Sequence, residues 1–258
     1  MFGFGDTKVA ALIQGLPNAD RCERYAAWVG EKPPVPPPDK ASLNMQLARE
    51  AQALSLPEGV QPIDVALRGD HCHVCGEPEE YEDNQFVQCD QCRVLVHMEC
   101  YGVQEIPDGG HWLCATCELG IDKPPPCCLC PVSGGAMKLT TEQPPSEKRW
   151  CHVACAMWTP ECTFQDIANM EPVDGIRRIG QGRWSLKCVV CKQEYGSCIQ
   201  CSDKKCYAAY HPLCARAAGF RMGLEMVAEG QPRGKDGPES EGGCIFLSYC
   251  NKHKVRNP

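Results

Sequence analysis

Aromatic side chains are scarce in this chain. Tryptophan, tyrosine and phenylalanine together make up 7% of its 258 residues, beside 24 glycines and 22 prolines. A chain so composed would struggle to order itself by apolar burial alone, and small modules stapled by other means are expected. No segment approaches the roughly 18 consecutive apolar residues of a membrane-spanning helix, so no membrane partner is expected. The stretch from Met1 to Leu16 carries Asp6 and Lys8, has only a short apolar run and lacks a convincing cleavage site. A secretory leader is therefore not expected. Basic residues are nearly missing from 71–122, where eleven Asp or Glu face Arg93 alone, a balance of −10. Residues 123–258 hold eighteen Lys or Arg against thirteen acids, or +5, and the amino-terminal remainder is −2, which closes the sum at −7. An acidic module beside a mildly basic one suits a basic peptide and a polyanion bound side by side.

Cysteine, in contrast, is abundant: 22 residues. Without a leader, and with histidines in register, metal is favoured over disulfides, and a reducing compartment follows. The pairs are regularly spaced. Cys72 and Cys75, Cys89 and Cys92, His97 and Cys100, and Cys114 and Cys117 come first; Cys127 and Cys130, His152 and Cys155, Cys188 and Cys191, His211 and Cys214, and Cys250 and His253 follow. Two intervening residues let both side chains of a pair reach one tetrahedral ion through a tight turn. A structural zinc can contribute roughly 10–16 kcal/mol to folding. In the first module the ligand order implies interleaving. Cys72, Cys75, His97 and Cys100 take one ion, and Cys89, Cys92, Cys114 and Cys117 take another. Gly76, directly after Cys75, permits the positive φ that metal knuckles need.

Outside the ladder, Val9, Leu12, Ile13 and Leu16 fit one helical face, and Leu43, Leu47, Ala51 and Leu54 a second. Between them, residues 32–38 (Lys-Pro-Pro-Val-Pro-Pro-Pro) read as an extended linker. Pro124–Pro126 forms another break, and the Gly- and charge-rich stretch 229–243 reads as a flexible loop interrupting a module.

With these residues in view, 72–117 resembles a PHD finger, above all in Cys89-Asp-Gln-Cys-Arg-Val-Leu-Val-His-Met-Glu-Cys-Tyr-Gly-Val and in Trp112, two residues before Cys114. A RING-like ubiquitin ligase shares the interleaved topology but places histidine fourth, whereas here it is fifth, so that alternative is disfavoured. Cys127-Cys-Leu-Cys-Pro-Val with Trp150-Cys-His-Val-Ala-Cys resembles a zinc knuckle. Cys188-Val-Val-Cys, Gly196-Ser-Cys-Ile-Gln-Cys and Tyr210-His-Pro-Leu-Cys-Ala-Arg resemble an extended PHD finger. The whole is similar to the PHD–knuckle–extended-PHD cassette of BRPF and JADE scaffold proteins and of plant trithorax-like histone methyltransferases, the last being nearest in its ending, Leu247 to Pro258.

The resemblance implies a fold of small zinc-stabilised α+β modules: a cross-brace PHD finger (67–121), a zinc knuckle (122–160) and an extended PHD finger (161–258). A partly helical, partly disordered segment (1–66) would precede them. It implies three further ions, on Cys127, Cys130, His152 and Cys155; on Cys188, Cys191, His211 and Cys214; and on Cys201, Cys206, Cys250 and His253, five zincs in all. Counting bound thiolates, the first module becomes about −13 and the later region about +2. Cys128 competes with Cys127, and Cys198 with Cys201. The other spare cysteines, Cys22, Cys151, Cys162 and Cys244, read as small apolar residues, and His71, His73 and His111 as surface residues.

Closed four-ligand sites leave no catalytic position, so the resemblance implies a non-catalytic nuclear reader of the histone H3 tail. The tail would add a strand to Gln85, Phe86, Val87 and Gln88. Carbonyls around Pro107, Asp108, Gly109 and Gly110 would cap its α-amino group, and Glu79, Glu80, Glu82, Asp83 and Asp90 would attract its basic side chains. Leu95 stands where trimethyl-lysine readers place a cage tryptophan, and Tyr81 with Phe86 is an incomplete cage, so a tail unmethylated at its fourth residue is expected. Duplex DNA would meet Arg177, Arg178, Arg183, Lys187, Lys192, Lys204, Lys205, Arg216 and Arg221. A chromatin-modifying complex is the implied setting. Trithorax-like relatives carry a SET domain after this cassette. No Asn-His-Ser-Cys type signature occurs before Pro258, so a SET-lacking fragment without methyltransferase activity is the alternative reading.

Overall fold

The computed structural model describes residues 40–64, 70–106, 109–142, 149–227 and 243–253. The helical face expected over 9–16, the proline linker, Cys22, Pro107, Asp108 and all of 229–243 except Gly243 lie outside them. Residues 45–258 form one compact unit. Its secondary structure is short because the chain turns at almost every ligand. Among the described residues it comprises five two-stranded antiparallel sheets and six α-helices, and only one of these helices exceeds six residues.

One supersecondary unit occurs three times. Strands β1 (Phe86–Gln88) and β2 (Leu95–His97) pair and lead into helix α2 (Met98–Tyr101), α1 being Lys40–Ala53. Helix α3 (Ala115–Glu118) closes the first finger. Strands β3 (Met137–Leu139) and β4 (Trp150–His152) repeat the hairpin before α4 (Val153–Met157). After the hairpin of β5 (Thr163–Asp166) and β6 (Glu171–Asp174) and helix α5 (Gln181–Trp184), β7 (Ile199–Gln200) and β8 (Ala209–Tyr210) lead into α6 (Pro212–Ala217). The long hairpin of β9 (Arg221–Val227) and β10 (Gly243–Tyr249) ends the fold. In each repeat a histidine at the N-cap keeps extended backbone (φ −71, −66 and −73° for His97, His152 and His211), and a cysteine follows one helical turn on. Positions i and i+3 share a helix face, so imidazole and thiol converge without further support.

Burial is modest and split in two. Val74, Val87, Val94, Val96, Tyr101 and Trp112 fill the first finger, where the Tyr101 and Trp112 rings meet edge to face at 5.5 Å. Ala136, Val153 and Met170 enter that core from outside the finger. The second core runs without interruption through the knuckle and the extended finger, from Leu129, Met137 and Trp150 to Ile176, Tyr210 and Leu213. It also takes Ala51 of α1. Of the face expected on that helix, Ala51 is buried, Leu47 and Leu54 are half-buried, and Leu43 is 43% exposed. Glu50 pairs with Arg149 at 3.5 Å, and the Gln193 amide clamps both backbone groups of Gln61 at 2.8 Å. Ile63 bridges the knuckle, accepting from Ser133 and donating to Pro131. The segment before the zinc ladder therefore contributes residues 45–64 to the same unit.

Two close approaches fix the joints. Gly102 (φ +78°) lies against the backbone of Asn169, and Gly196 (φ +74°) against that of Leu129 and Cys130; a Cβ at either would collide with backbone atoms. Tyr101 Oη donates to Met137 O at 2.7 Å and accepts from Ala115 N, which seals the first joint.

Gly102→Ala and Gly196→Ala are expected to cost about 2–4 kcal/mol each, combining left-handed backbone strain with overpacking. Gly182→Ala, with open space around it, should be nearly neutral. Denaturant unfolding followed by tryptophan fluorescence measures all three.

Candidate metal centres and docking edge

The structure gathers all twenty expected ligands into five groups: Cys72, Cys75, His97 and Cys100; Cys89, Cys92, Cys114 and Cys117; Cys127, Cys130, His152 and Cys155; Cys188, Cys191, His211 and Cys214; and Cys201, Cys206, Cys250 and His253. In every group the ligand atoms lie within 4.8 Å of one another. Zinc bonds of roughly 2.3 Å to sulfur and 2.0–2.1 Å to nitrogen place tetrahedral ligand atoms about 3.8 Å (S···S) and 3.6 Å (S···N) apart. Observed S···S separations are 3.5 Å for Cys92–Cys114, 3.5 Å for Cys130–Cys155 and 3.8 Å for Cys206–Cys250. Sulfur to histidine Nδ1 runs from 3.3 Å at Cys75–His97 and Cys130–His152 to 3.8 Å at Cys100–His97. The donor sets fit zinc, and the first finger is interleaved.

Outer contacts orient these ligands. Every histidine of the helical repeats presents Nδ1 to sulfur and donates Nε2–H to a backbone carbonyl: His97 to Glu79 O at 2.7 Å, His152 to Gly134 O at 2.5 Å and His211 to Tyr195 O at 2.6 Å. That bond fixes the tautomer and makes the ligating nitrogen more basic. Backbone amides of Val74 and His97 donate to Cys72 Sγ, and those of Leu129 and His152 donate to Cys127 Sγ, which favours thiolate. Inside two of these clusters the shifts call for positive charge. Burial opposes protonation of His211, but hydrogen bonds with Cys188 and Cys191 outweigh it and hold the imidazole up at about 9. The Cys92 hydrogen bond draws the Cys114 thiol down to about 5. A divalent ion takes the place of that proton.

The turns after three knuckle cysteines adopt left-handed backbone: Gly76 (φ +87°), as expected, but also Arg93 and Lys192, both at +65°. Each closes with paired bonds, such as Cys89 N to Val94 O and Arg93 N to Cys89 O. A non-glycine residue there costs of order 1 kcal/mol, which the metal outweighs. Cys127 and Cys201 are among the clustered ligands, and Cys128 and Cys198 are not. Cys128 and Cys151 are buried, Cys198 donates to Leu186 O, and burial pushes the Cys162 thiol up to about 12. His111 is a surface residue as expected. His73 is not: its ring is half-buried, its Nδ1 is enclosed without a protein partner, and burial draws it down to about 4. His71 is also half-buried and pairs with Asp70 at 2.6 Å.

The first finger presents an edge. Bonds from Met98 N to Gln85 O and from Cys89 N to Val94 O fix the parity of the β1–β2 ladder, so Phe86 and Gln88 turn their backbone groups away from β2. The segment before this edge is acidic, with Glu79, Glu80, Glu82 and Asp83 all exposed. Asp90 is occupied, since it accepts from Trp112 N at 2.9 Å and faces His111 at 3.3 Å. Phe86 stacks on His97 at 4.2 Å and 12°, and Tyr81 is tilted against the same ring at 5.8 Å. The two aromatics thus pack on a zinc ligand. Gly109 and Gly110 both take positive φ.

The nine basic residues of the extended finger divide sharply. Arg216 donates to His73 O at 3.1 Å and to Val74 O at 2.5 Å, a clamp onto the first finger, and burial is the main influence lowering its pKa. Arg183 is held by Glu161 and by Cys198 O. Arg177 bonds Glu142 at 2.9 Å, and Arg178 bonds Glu161 O and Thr163. These four were expected to meet phosphate; Arg216 and Arg183 are instead structural. Lys187, Lys192, Lys204, Lys205 and Arg221 are exposed. No local sequence signal distinguished the Arg216 clamp, because its acceptors lie more than 140 positions away.

Residues 125–253 match the PHD-zinc-finger like domain, and residues 83–118 match the PHD-finger. Histone H3-lysine(4) N-trimethyltransferase ATX1 of Arabidopsis thaliana is 48% identical over 203 residues, 77% of this chain and 18% of that protein. Histone-lysine N-methyltransferase TRX1 of Oryza sativa subsp. japonica is 43% identical over 257 residues, 98% and 22% respectively. Protein Jade-3 of Danio rerio is 43% identical over 182 residues, 70% and 20%. The chain spans about a fifth of the length of these curated relatives. The crystal structure of the zebrafish PHF14 PZP superposes with a TM-score of 0.51 at 29% identity, covering 72% of this chain and 89% of that one.

The knuckle differs from the other centres in having all four ligands buried, whereas Cys75 and Cys92 are exposed. A chelator with a colorimetric zinc indicator should release five ions per chain in stages, the knuckle ion last and together with loss of the fold. A total below five, or release in one phase, would contradict this assignment.

Proposed function

The chain belongs to the PHD-zinc-finger-like family, and on that footing we propose that it is a non-catalytic chromatin reader acting in the nucleus. Its first finger takes the histone H3 amino-terminal tail as an added strand on β1. The observation that carries this reading is the outward edge of Phe86 and Gln88 beside an exposed acidic run. Main-chain bonds supply affinity in strand addition, and flanking side chains supply choice. An acidic lip favours a basic tail, most strongly at low salt. The Gly109–Gly110 turn caps the terminal amine. Because Phe86 and Tyr81 pack on His97, the reading favours a tail unmethylated at its fourth residue.

The extended finger carries the second contact, with duplex DNA, through Lys187, Lys192, Lys204, Lys205 and Arg221. Phosphate contacts of this kind carry no sequence information and weaken with salt. The identity to plant histone methyltransferases favours a second reading, in which these modules are the reading portion of a longer enzyme of that kind.

Calorimetric titration of the zinc-loaded chain with an H3 amino-terminal peptide tests the first contact. The unmethylated peptide should bind more tightly than one trimethylated at its fourth residue, and acetylation of the terminal amine should abolish most of the affinity. Tighter binding of the trimethylated peptide refutes the preference, and no binding of either refutes the tail reading. Duplex DNA should be retarded at low ionic strength, with Lys204→Ala plus Lys205→Ala reducing the log–log salt slope by roughly 1–2.

A further inference from the structure

The outward edge of β1 is already partly occupied. Glu80 Oε1 accepts the Phe86 N–H at 2.9 Å, and this is one of the groups an incoming strand would bond. The contact is not that of a loose surface carboxylate, because the segment carrying it is pinned on both sides. Glu79 O receives the Nε2–H of the zinc ligand His97 at 2.7 Å. Tyr81 and Asn84 exchange backbone bonds at 3.4 and 3.2 Å, and the Asn84 side chain accepts from Glu99 N at 3.0 Å, at the start of α2. Glu80 therefore sits between a carbonyl tied to a metal centre and a turn tied to a helix, six positions before the amide it caps.

We propose that Glu80 is a built-in occupant of the docking edge that makes strand addition conditional on positive charge. The inference deepens, and rests on, the reading of the first finger as a tail-docking surface. A peptide carbonyl can bond Phe86 N–H only by displacing the carboxylate. Displacement exchanges a charge-assisted hydrogen bond for a neutral one and leaves an anion beside the new strand. A peptide with a lysine or arginine next to the bonded carbonyl pairs with that anion and recovers the loss. An uncharged peptide of the same shape does not. The acid thus penalises the wrong strand as well as attracting the right one, a repulsive element of specificity that simple attraction lacks. The same cap blunts the edge against pairing with a second copy of this chain.

The discriminating experiment uses the zinc-loaded chain, its Glu80→Ala and Glu80→Gln variants, and two peptides. One is the H3 amino-terminal peptide; the other has each arginine and lysine replaced by citrulline and acetyl-lysine. In Glu80→Ala the basic peptide should bind more weakly and the uncharged one about three- to fivefold more tightly, the scale of one modest hydrogen bond no longer displaced. Hydrogen exchange of the Phe86 amide in the free protein should quicken in Glu80→Ala and stay protected in Glu80→Gln, whose amide oxygen can still accept. Zinc content of five per chain verifies that each variant is folded. If affinity for the uncharged peptide fails to rise, or Phe86 exchange fails to quicken, the gate is overturned while the tail reading stands on the wild-type titration. If the wild-type chain binds neither peptide, the tail reading fails and the gate with it.

Discussion

A zinc-bound imidazole held from behind by a backbone carbonyl is the interaction on which the rest of this molecule depends. At His97, His152 and His211 the ring joins a helix N-terminus to a metal on one nitrogen and to a loop 16 to 18 residues upstream on the other. Each ring therefore closes a loop twice. In a chain with few aromatics and two thin cores, these closures supply the order that apolar burial provides in larger domains. They also explain why three-residue strands persist: the hairpins are short because the metal ends them.

The modules are not beads on a string. Arg216 reaches from α6 to the carbonyls of His73 and Val74, Gln193 clasps Gln61, and the second core passes from knuckle to extended finger without a seam. The knuckle is the keystone of this arrangement. Its ligands are all buried, and its neighbours Ala136 and Val153 pack into the first finger while Leu129 and Trp150 pack with the extended one. Stability of one finger is consequently coupled to that of the others, and no single module owns the residues that hold it.

Much of this was legible in the order of residues, because zinc imposes spacing and spacing survives in sequence. Pairs such as Cys72 with Cys75 and His211 with Cys214 declare themselves locally, and the position of His97 in the ligand order separated one cross-brace from another. What stayed hidden depends on distant partners. Arg216 looks like any basic residue on a basic surface until its acceptors are known. Asp90 looks like a free acid, although it holds the Trp112 amide. Arg93 and Lys192 occupy left-handed backbone where glycine would be the natural guess, because the metal overrides the local preference. His73 looked solvated beside a ligand pair, yet its ring is half-buried and its backbone carbonyl is held by the distant Arg216. The apolar period of α1 announced a helix but not that Ala51 would be its anchor in the second core.

The Arg216 clamp has a consequence for how this molecule would sense its surroundings. A charged fork bonded to two consecutive carbonyls resists both bending and twisting, so the first and third modules cannot wander as they would on a glycine tether. Surfaces carried by these two modules are then presented at one separation and one angle. When two feeble grips are mounted on a rigid calliper, capture by the first puts the second at high local concentration only if the target's own features lie at the matching span. A target with the same features at another distance gains nothing from the second grip. Geometry, and not the strength of either contact, would set the threshold for staying bound.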